Sequence, residues 1–518
     1  MTSWPGQPGP AAGRAGLIAM GASVALTFTV AVGGPSVMEP VLHGRSGPPP
    51  WASDAHLSPY LAVGLTAAAL AAGALGLVLV LRAVRGGWSV PARTVLLAGL
   101  LAAAALTLVP PFGSSDQLSY AAYGRMLVTG HNPYTTTPAQ LAALGDPVAR
   151  AVQDWFTTSS VYGPLATAVQ GLASLTGGTS ARLTVFALGL ANLAAFAVTA
   201  VLLHRMTRSD PARQLRAALL WAANPLLLQL LIAGAHVDGQ AVVFAVAAVA
   251  VLFGPWAGPR APVPSVPRST LAGVLAGLGF AVKVSDVLVA LGLGLALMLG
   301  SRAAGRPLTA LAALAAGFAA TAGAAIAIGG PALLGQLSRE SDMVSIGSPW
   351  RVIRTLIHLV AGGTAATDLV KAGAVALAVV LAVLLVRGLP DAAAGAGVAF
   401  AVVLAWLFAW PYVLPWYDAL AWALLPLVAA GPAAEALGWL LLARTTALGF
   451  GYLPARQADA ALPRGLAWLQ PVIRHGVTPA ILAVAAVWLM VLMVRARRSR
   501  GPAPAAAINA RPAVTETR

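Results

Sequence analysis

The chain has 518 residues, of which 58% are hydrophobic and only 9% charged. A soluble domain carries roughly a quarter charged residues, so a single water-soluble core is excluded. The formal charge of +16 sits on arginines in short loops rather than on a patch interleaved with stacking aromatics, which argues against nucleic acid, and the absence of cysteine excludes thiol chemistry.

Residues 1–14 are rich in Pro and Gly and read as a disordered tail, as do residues 501–518. Between them, 15–500 reads as one polytopic membrane domain. Its apolar runs are about 17–24 residues long, enough to cross a hydrocarbon core of roughly 30 Å. They fall near 15–33, 60–83, 94–110, 181–204, 215–233 and 239–256. A short pair follows near 270–283 and 286–300, then 307–329, 369–387, 393–410, 417–430, 433–449 and 478–495. The fold class is therefore all-α, an integral membrane protein with about 13–14 transmembrane helices. The first run lacks an A-x-A cleavage site and more spans follow it, so it is read as a retained helix and not a signal peptide.

Arginine clusters set the sidedness. Arg82, Arg85 and Arg93 share one short loop, and Arg205, Arg208, Arg213 and Arg216 another. Arg260 and Arg268, Arg302 and Arg306, and Arg495, Arg497, Arg498 and Arg500 make three more. All five lie on one side if both termini are cytoplasmic; Arg456, Arg464 and Arg474 depart from the rule. Two long loops, about 111–180 and 330–368, then face outward. The apolar stretch 161–176 lies between outward anchors and is expected along the membrane surface.

Five acids, Asp116, Asp238, Asp286, Asp342 and Asp418, lie at the outer ends of apolar runs. An ionisable group at that depth needs a polar cavity or a partner. Asp116 opens a helix from Gln117 to Thr129, on which Asp116, Tyr120 and Tyr123 share one face and Arg125 points away. It is either a helix cap or a general base flanked by tyrosines. His131-Asn132-Pro133-Tyr134 and Ser159-Ser160-Val161-Tyr162 supply hydrogen-bonding side chains nearby in sequence. In the turn His236-Val237-Asp238-Gly239-Gln240, Asp238 is a supporting acid, a metal ligand or a cap. One His and one Asp do not make a metal site without further ligands, so no fixed metal or cofactor is expected; a divalent cation is not implied but stays open.

Lys283 and Asp286 lie between two short helices and either neutralise each other or offer Lys283 to a phosphate. Ser348-Pro349 reads as a cap and first helical residue, which puts Arg351 and Arg354 beside free amides at an anion site or at lipid headgroups. Trp410-Pro411-Tyr412-Val413-Leu414-Pro415-Trp416-Tyr417-Asp418 is either part of an aromatic belt or a stacking wall for a sugar or isoprenoid.

Taken in order, SSDQLSYAAYGRM (114–126), HNPYTTTP (131–138), SSVYGP (159–164), GAHVDGQ (234–240), SPWRVIR (348–354) and WPYVLPWYD (410–418) resemble the GT-C glycosyltransferases. More narrowly they resemble the actinobacterial polyprenol-phosphomannose-dependent α-1,6-mannosyltransferases of lipomannan core synthesis. Two features depart from that pattern. Two extra spans precede the segment that would begin a minimal GT-C core, and His236-Val237-Asp238 stands where many relatives have His-Asn-Asp. The resemblance implies a GT-C-like fold with outward juxtamembrane helices and a catalytic base in the first large loop, which maps onto Asp116.

The expected reaction is inverting transfer of mannose from a polyprenyl-phosphate β-mannose to a mannan or lipomannan acceptor, at the outer face of the plasma membrane. Lys283, Arg351 and Arg354 are the expected donor-phosphate ligands. The expected substrate-binding residues are Tyr120, Tyr123, His131, Asn132, Tyr134, Tyr162, His236, Asp238, Gln240, Trp416, Tyr417 and Asp418. An arabinofuranosyl- or glucosyltransferase, and a transporter or flippase of lipid-linked sugars with broken helices around Lys283 and Asp286, are the alternatives.

Overall fold

The computed structural model describes residues 9–44, 46–254, 264–300, 307–389, 395–454 and 462–498. Among these residues the protein is helical throughout, with no β-strand. The first three helices are α1 (Pro10–Val32), α2 (Pro59–Arg85) and α3 (Ala92–Thr107). Four shorter ones fill the first large loop: α4 (Asp116–Val128), α5 (Pro138–Ala143), α6 (Pro147–Arg150) and α7 (Pro164–Gly177). A long helix, α8 (Ala181–Met206), is followed by α9 (Pro211–Leu220), α10 (Pro225–Leu227) and a π-helical turn at Leu228–Ala233.

The centre of the chain is α11 (Asp238–Phe253), α12 (Val266–Val282), α13 (Val287–Gly300) and α14 (Pro307–Ser341). Then come α15 (Pro349–Ala361), α16 (Gly363–Gly388), α17 (Ala396–Ala409), α18 (Ala419–Leu424), α19 (Pro432–Gly451) and α20 (Thr478–Arg498).

Among the described residues, seven helices are long and apolar enough to cross a membrane: Pro10–Val32, Pro59–Arg85, Ala181–Met206, Pro211–Ala233, Leu308–Ser341, Gly363–Gly388 and Arg464–Ala496. Shorter apolar helices stand at Ala92–Thr107, Asp238–Phe253, Val266–Val282, Val284–Gly300 and Ala396–Ala409. The chain is a multi-pass membrane protein, and each expected span meets helical structure. The span expected at 417–430 is the most broken, with one α-helical piece, Ala419–Leu424, between tighter turns. The first helix starts at Pro10, so residues 10–14, expected in the tail, are helical. The tail 501–518, and with it Arg260, Arg302, Arg306, Arg456 and Arg500, lies outside the described residues.

Burial separates the spans into an inner and an outer set. Pro211–Ala233 is 83% buried, whereas Gly363–Gly388 is only 22% buried and turns its apolar surface to lipid. The central core joins the end of α9, α11, α17 and α18 through residues such as Trp221, Val249, Phe400 and Trp422. α4 and α7 form a smaller core of their own with Leu118, Ala122, Ala166 and Ala173. α4 packs on α7 at Gly124, where a Cβ would collide with the Gln170 backbone carbonyl. Small residues at such crossings let helices approach closely where lipid gives no hydrophobic drive.

One break shapes the outer face. Gly330 in α14 has φ +66°, a left-handed conformation open to glycine, and Pro331 follows it. The helix therefore turns, and residues 331–341 leave the line of the span to become a wall of the first large loop.

Candidate active site

The site starts from the prolines that end α3. Pro110 and Pro111 cannot continue a helix, and Gly113, at φ +84°, redirects the chain into α4. Ser114 Oγ accepts from the Asp116 N–H at 3.1 Å, and the Ser115 side chain makes no cap bond. Asp116 is the first residue of α4 and its carboxylate turns away from the helix amides. Oδ1 accepts from Trp155 Nε1 at 3.2 Å, and Oδ2 lies 3.6 Å from His236 Nδ1. The side chain is thus tied to tertiary partners and does not cap its own helix.

A pocket of about 480 Å³ opens on this carboxylate, bounded by Tyr120, Tyr123, Trp155, Tyr162, Glu340 and Tyr417. Tyr120 meets Tyr162 edge-on, with ring centroids 5.1 Å apart and Tyr162 donating to the Tyr120 hydroxyl at 3.3 Å. Tyr123 donates to the Thr158 carbonyl at 2.9 Å. Burial lifts the hydroxyl acid constants of Tyr120 and Tyr123, so both remain protonated donors. Asp116 is pushed up to about 6, first by burial, then by the Asp154 and Asp238 charges; the Trp155 bond and Lys283 oppose the shift. His236 is held well below its usual range by burial and by Lys283, and so is neutral. It stacks on Trp416 at 3.5 Å.

Two larger spaces adjoin this pocket, and a third meets the second of them at Tyr134. One, of about 1080 Å³, shares Trp155, Met343, Tyr412 and Leu414 with it and carries Arg339, Arg354 and Arg474. A second, of about 1300 Å³, shares Thr158, Val161, Glu340 and Met343 with it. Its lining is rich in hydroxyls and amides, including Thr135, Thr157, Ser159, Gln140 and Gln336, and Arg339 lies between it and the first space. The third is an apolar cleft of about 1460 Å³ between the loop after α4, α7, α12 and α14, lined by Leu127, Leu165, Leu278 and Ile328.

The structure gathers Asp116, Tyr120, Tyr123, Tyr162 and Tyr417 on one pocket. Tyr134 lies one space away, on the hydroxyl-lined branch, where its carbonyl accepts from Gln336. His131 and Asn132 line the apolar cleft. Lys283 pairs with Asp238 at 2.6 Å and sits 3.8 Å above the Tyr417 ring, so the reading in which it pairs locally with Asp286 gives way to a pair made across helices. Gln240 is tied to Asn192 at 2.6 Å between α11 and α8, away from the pocket. Asp418 is fully buried in an ion pair with Arg444 and accepts from Thr445 at 2.7 Å, so it faces the core. Trp416 is buried behind His236. Of the expected phosphate ligands, Arg354 lines the arginine branch and Arg351 is exposed on α15. Ser348 caps α15 by accepting from the Trp350 N–H at 3.3 Å.

Sequence reading missed Trp155, Asp154, Arg339, Glu340, Met343 and Arg474. The one available signal was the run Gly329-Gly330-Pro331, which breaks an apolar stretch ten residues before Arg339 and Glu340.

Comparison with known proteins shows the family of the chain. A family model described as "Alpha-(1->6)-mannopyranosyltransferase, N-terminal domain" matches residues 14–300, which includes Asp116, the tyrosines of α4 and the 236–240 turn. The alpha-(1->6)-mannopyranosyltransferase Rv1459c of Mycobacterium tuberculosis is 32% identical over 133 residues, a stretch covering 25% of this chain and 22% of that protein. No solved structure matches the chain.

Proposed function

Because the chain belongs to the alpha-(1->6)-mannopyranosyltransferase family, we propose that it moves mannose from a polyprenyl-phosphate β-mannose onto the 6-hydroxyl of a mannan-type acceptor, with inversion. The observation that carries this reading is the Asp116 carboxylate, set among tyrosine hydroxyls where an arginine-lined space meets a hydroxyl-lined one. The donor phosphate is anionic and fits Arg339, Arg354 and Arg474, since guanidinium groups bind phosphate through paired donors. The acceptor glycan is neutral and rich in hydroxyls, which suits the threonine, serine and glutamine lining of the other branch.

Asp116 takes the proton of the attacking hydroxyl as that oxygen bonds to the anomeric carbon and the lipid phosphate departs. One displacement converts β to α. The leaving group is already an anion, so cations near it contribute more than a general acid would. Lys283, tied to Asp238, partly offsets the acids around the pocket and is a weaker candidate for the phosphate. No nucleotide sugar, metal or other cofactor enters the proposed step. On this reading the fold is GT-C-like, both termini are cytoplasmic, and the pocket opens outward in the plasma membrane.

The test compares membranes holding wild type or Asp116→Asn at matched amounts, given radiolabelled polyprenyl-phosphomannose and a short α-1,6-mannoside. Transfer by the wild type, with a loss of about 10²–10⁴ in rate in the variant, is expected. Equal transfer by both would remove Asp116 from the reaction.

A further inference from the structure

Trp155 combines features that the family comparison does not explain. Its backbone sits at φ +63°, a left-handed conformation costly for a bulky side chain. Such a residue persists only where its surroundings over-determine it, and such residues cluster at functional sites.

Here the surroundings are explicit. The preceding Asp154 carboxylate accepts from Ser115 Oγ at 2.8 Å, and its carbonyl accepts from Ser119 Oγ at 3.1 Å. Downstream, the Trp155 carbonyl accepts from the Thr158 N–H at 2.9 Å and the Phe156 carbonyl from the Ala139 N–H at 2.8 Å. Two serines flanking Asp116 thus pin the loop to the start of α4, and α5 pins its other side. The result delivers the indole N–H to Asp116 Oδ1 at 3.2 Å. The same side chain lines both the acid pocket and the arginine branch.

We infer that Trp155 is a positioning residue of the transfer reaction: its indole N–H fixes one oxygen of Asp116, and its ring is the partition against which the donor sugar lies between the arginine branch and the base. This rests on the reading of Asp116 as base. A buried carboxylate without an oriented donor rotates and gains a proton more readily. The strained backbone is the means by which a residue distant in sequence is held at a fixed angle to the base. Other groups facing Asp116 are Asp154 from the same loop, His236 and Asp238 from the 236–240 turn, Lys283 from the end of α12, and Tyr120, Tyr123 and Tyr162. None of these supplies the donor that the indole gives to Oδ1.

The experiment uses the full chain in lipid nanodiscs and two readouts. Infrared difference titration, with Asp116→Asn as the blank, follows the Asp116 carboxyl directly and does not depend on turnover. The pH profile of transfer follows its consequence. Trp155→Phe keeps a ring and removes the N–H. It should move both midpoints up by roughly half to one pH unit, about the worth of one neutral hydrogen bond. At neutral pH kcat should fall several-fold while the donor KM changes less; Trp155→Ala should raise the donor KM as well. If Trp155→Phe folds poorly, Trp155→Met, which also lacks the N–H, should give a shift in the same direction. An infrared midpoint unmoved in whichever of Trp155→Phe and Trp155→Met folds overturns the inference. A shifted infrared midpoint in a protein whose Asp116→Asn variant still transfers mannose instead overturns the reading of the base, and leaves Trp155 as a partner of that carboxyl.

Discussion

Asp116 holds its proton up to about pH 6 because it is buried and faces Asp154 and Asp238. A base works only when ionised, so transfer should fall as pH drops through about 6, and a pH–rate profile in membranes checks this. The displacement also has a sign for stability. Ionising a carboxyl whose folded acid constant lies above its ordinary 3.8 opposes folding; the penalty is absent below about pH 4 and complete above about pH 6. Asp116→Asn should therefore stabilise the fold at neutral pH by ~1–3 kcal/mol, read as a higher melting temperature, while transfer falls by the factor given above. Asp418 shows the opposite case, a buried acid matched by Arg444 within the core. Asp418→Leu alone should cost about 3–5 kcal/mol by stranding the guanidinium, and Asp418→Leu with Arg444→Met should recover most of it, read as thermal melting in detergent. The sequence made Asp116, Tyr120 and Tyr123 legible together because one helix period joins them. Arg444 could not be paired with Asp418 in advance, since two successive elements bring them together and no local spacing encodes it.

α14 is read correctly as a span and incompletely as a structure. Its apolar run and its Gly-Gly-Pro break are visible in sequence, but the direction taken after the break depends on the walls it meets. Gly330 has open space where a Cβ would sit, so Gly330→Ala meets no clash and costs only its backbone, held at φ +66° and ψ −171° in a region essentially reserved for glycine, ~1–3 kcal/mol. That cost falls on the turn that brings Arg339 and Glu340 to the pocket. Gly330→Ala should lower transfer by more than it lowers the melting temperature, and the two measurements on one preparation separate the effects. α15 was legible for a different reason. Arg351, Arg354 and His358 recur at helical spacing on one side, and Val352, Ile353, Leu356, Leu359 and Val360 lie exposed on the other, as suits a helix resting at a lipid surface. Its role in the arginine branch was only half legible, because Arg474 reaches that branch from a segment more than a hundred residues away.

For the whole molecule, the spans were readable from hydropathy because lipid demands unbroken apolar helices. The pocket was not, because it is assembled from the first large loop, the bent end of α14 and the 412–417 aromatic turn. The proposed sidedness is open to direct test, since the chain has no cysteine. Thr157→Cys, on the hydroxyl-lined branch, should react with a membrane-impermeant maleimide on intact cells, whereas Arg208→Cys should react only after permeabilisation. The reverse pattern would invert the proposed orientation. The branching has a kinetic consequence. The arginine and hydroxyl-lined spaces meet each other and the acid pocket around Met343. On the proposed function, the spent lipid phosphate and the lengthened glycan would occupy different arms, so neither would have to leave before the other. A growing chain would then be free to stay seated while the used carrier is exchanged for a fresh one, and successive additions would need no rebinding of the polymer.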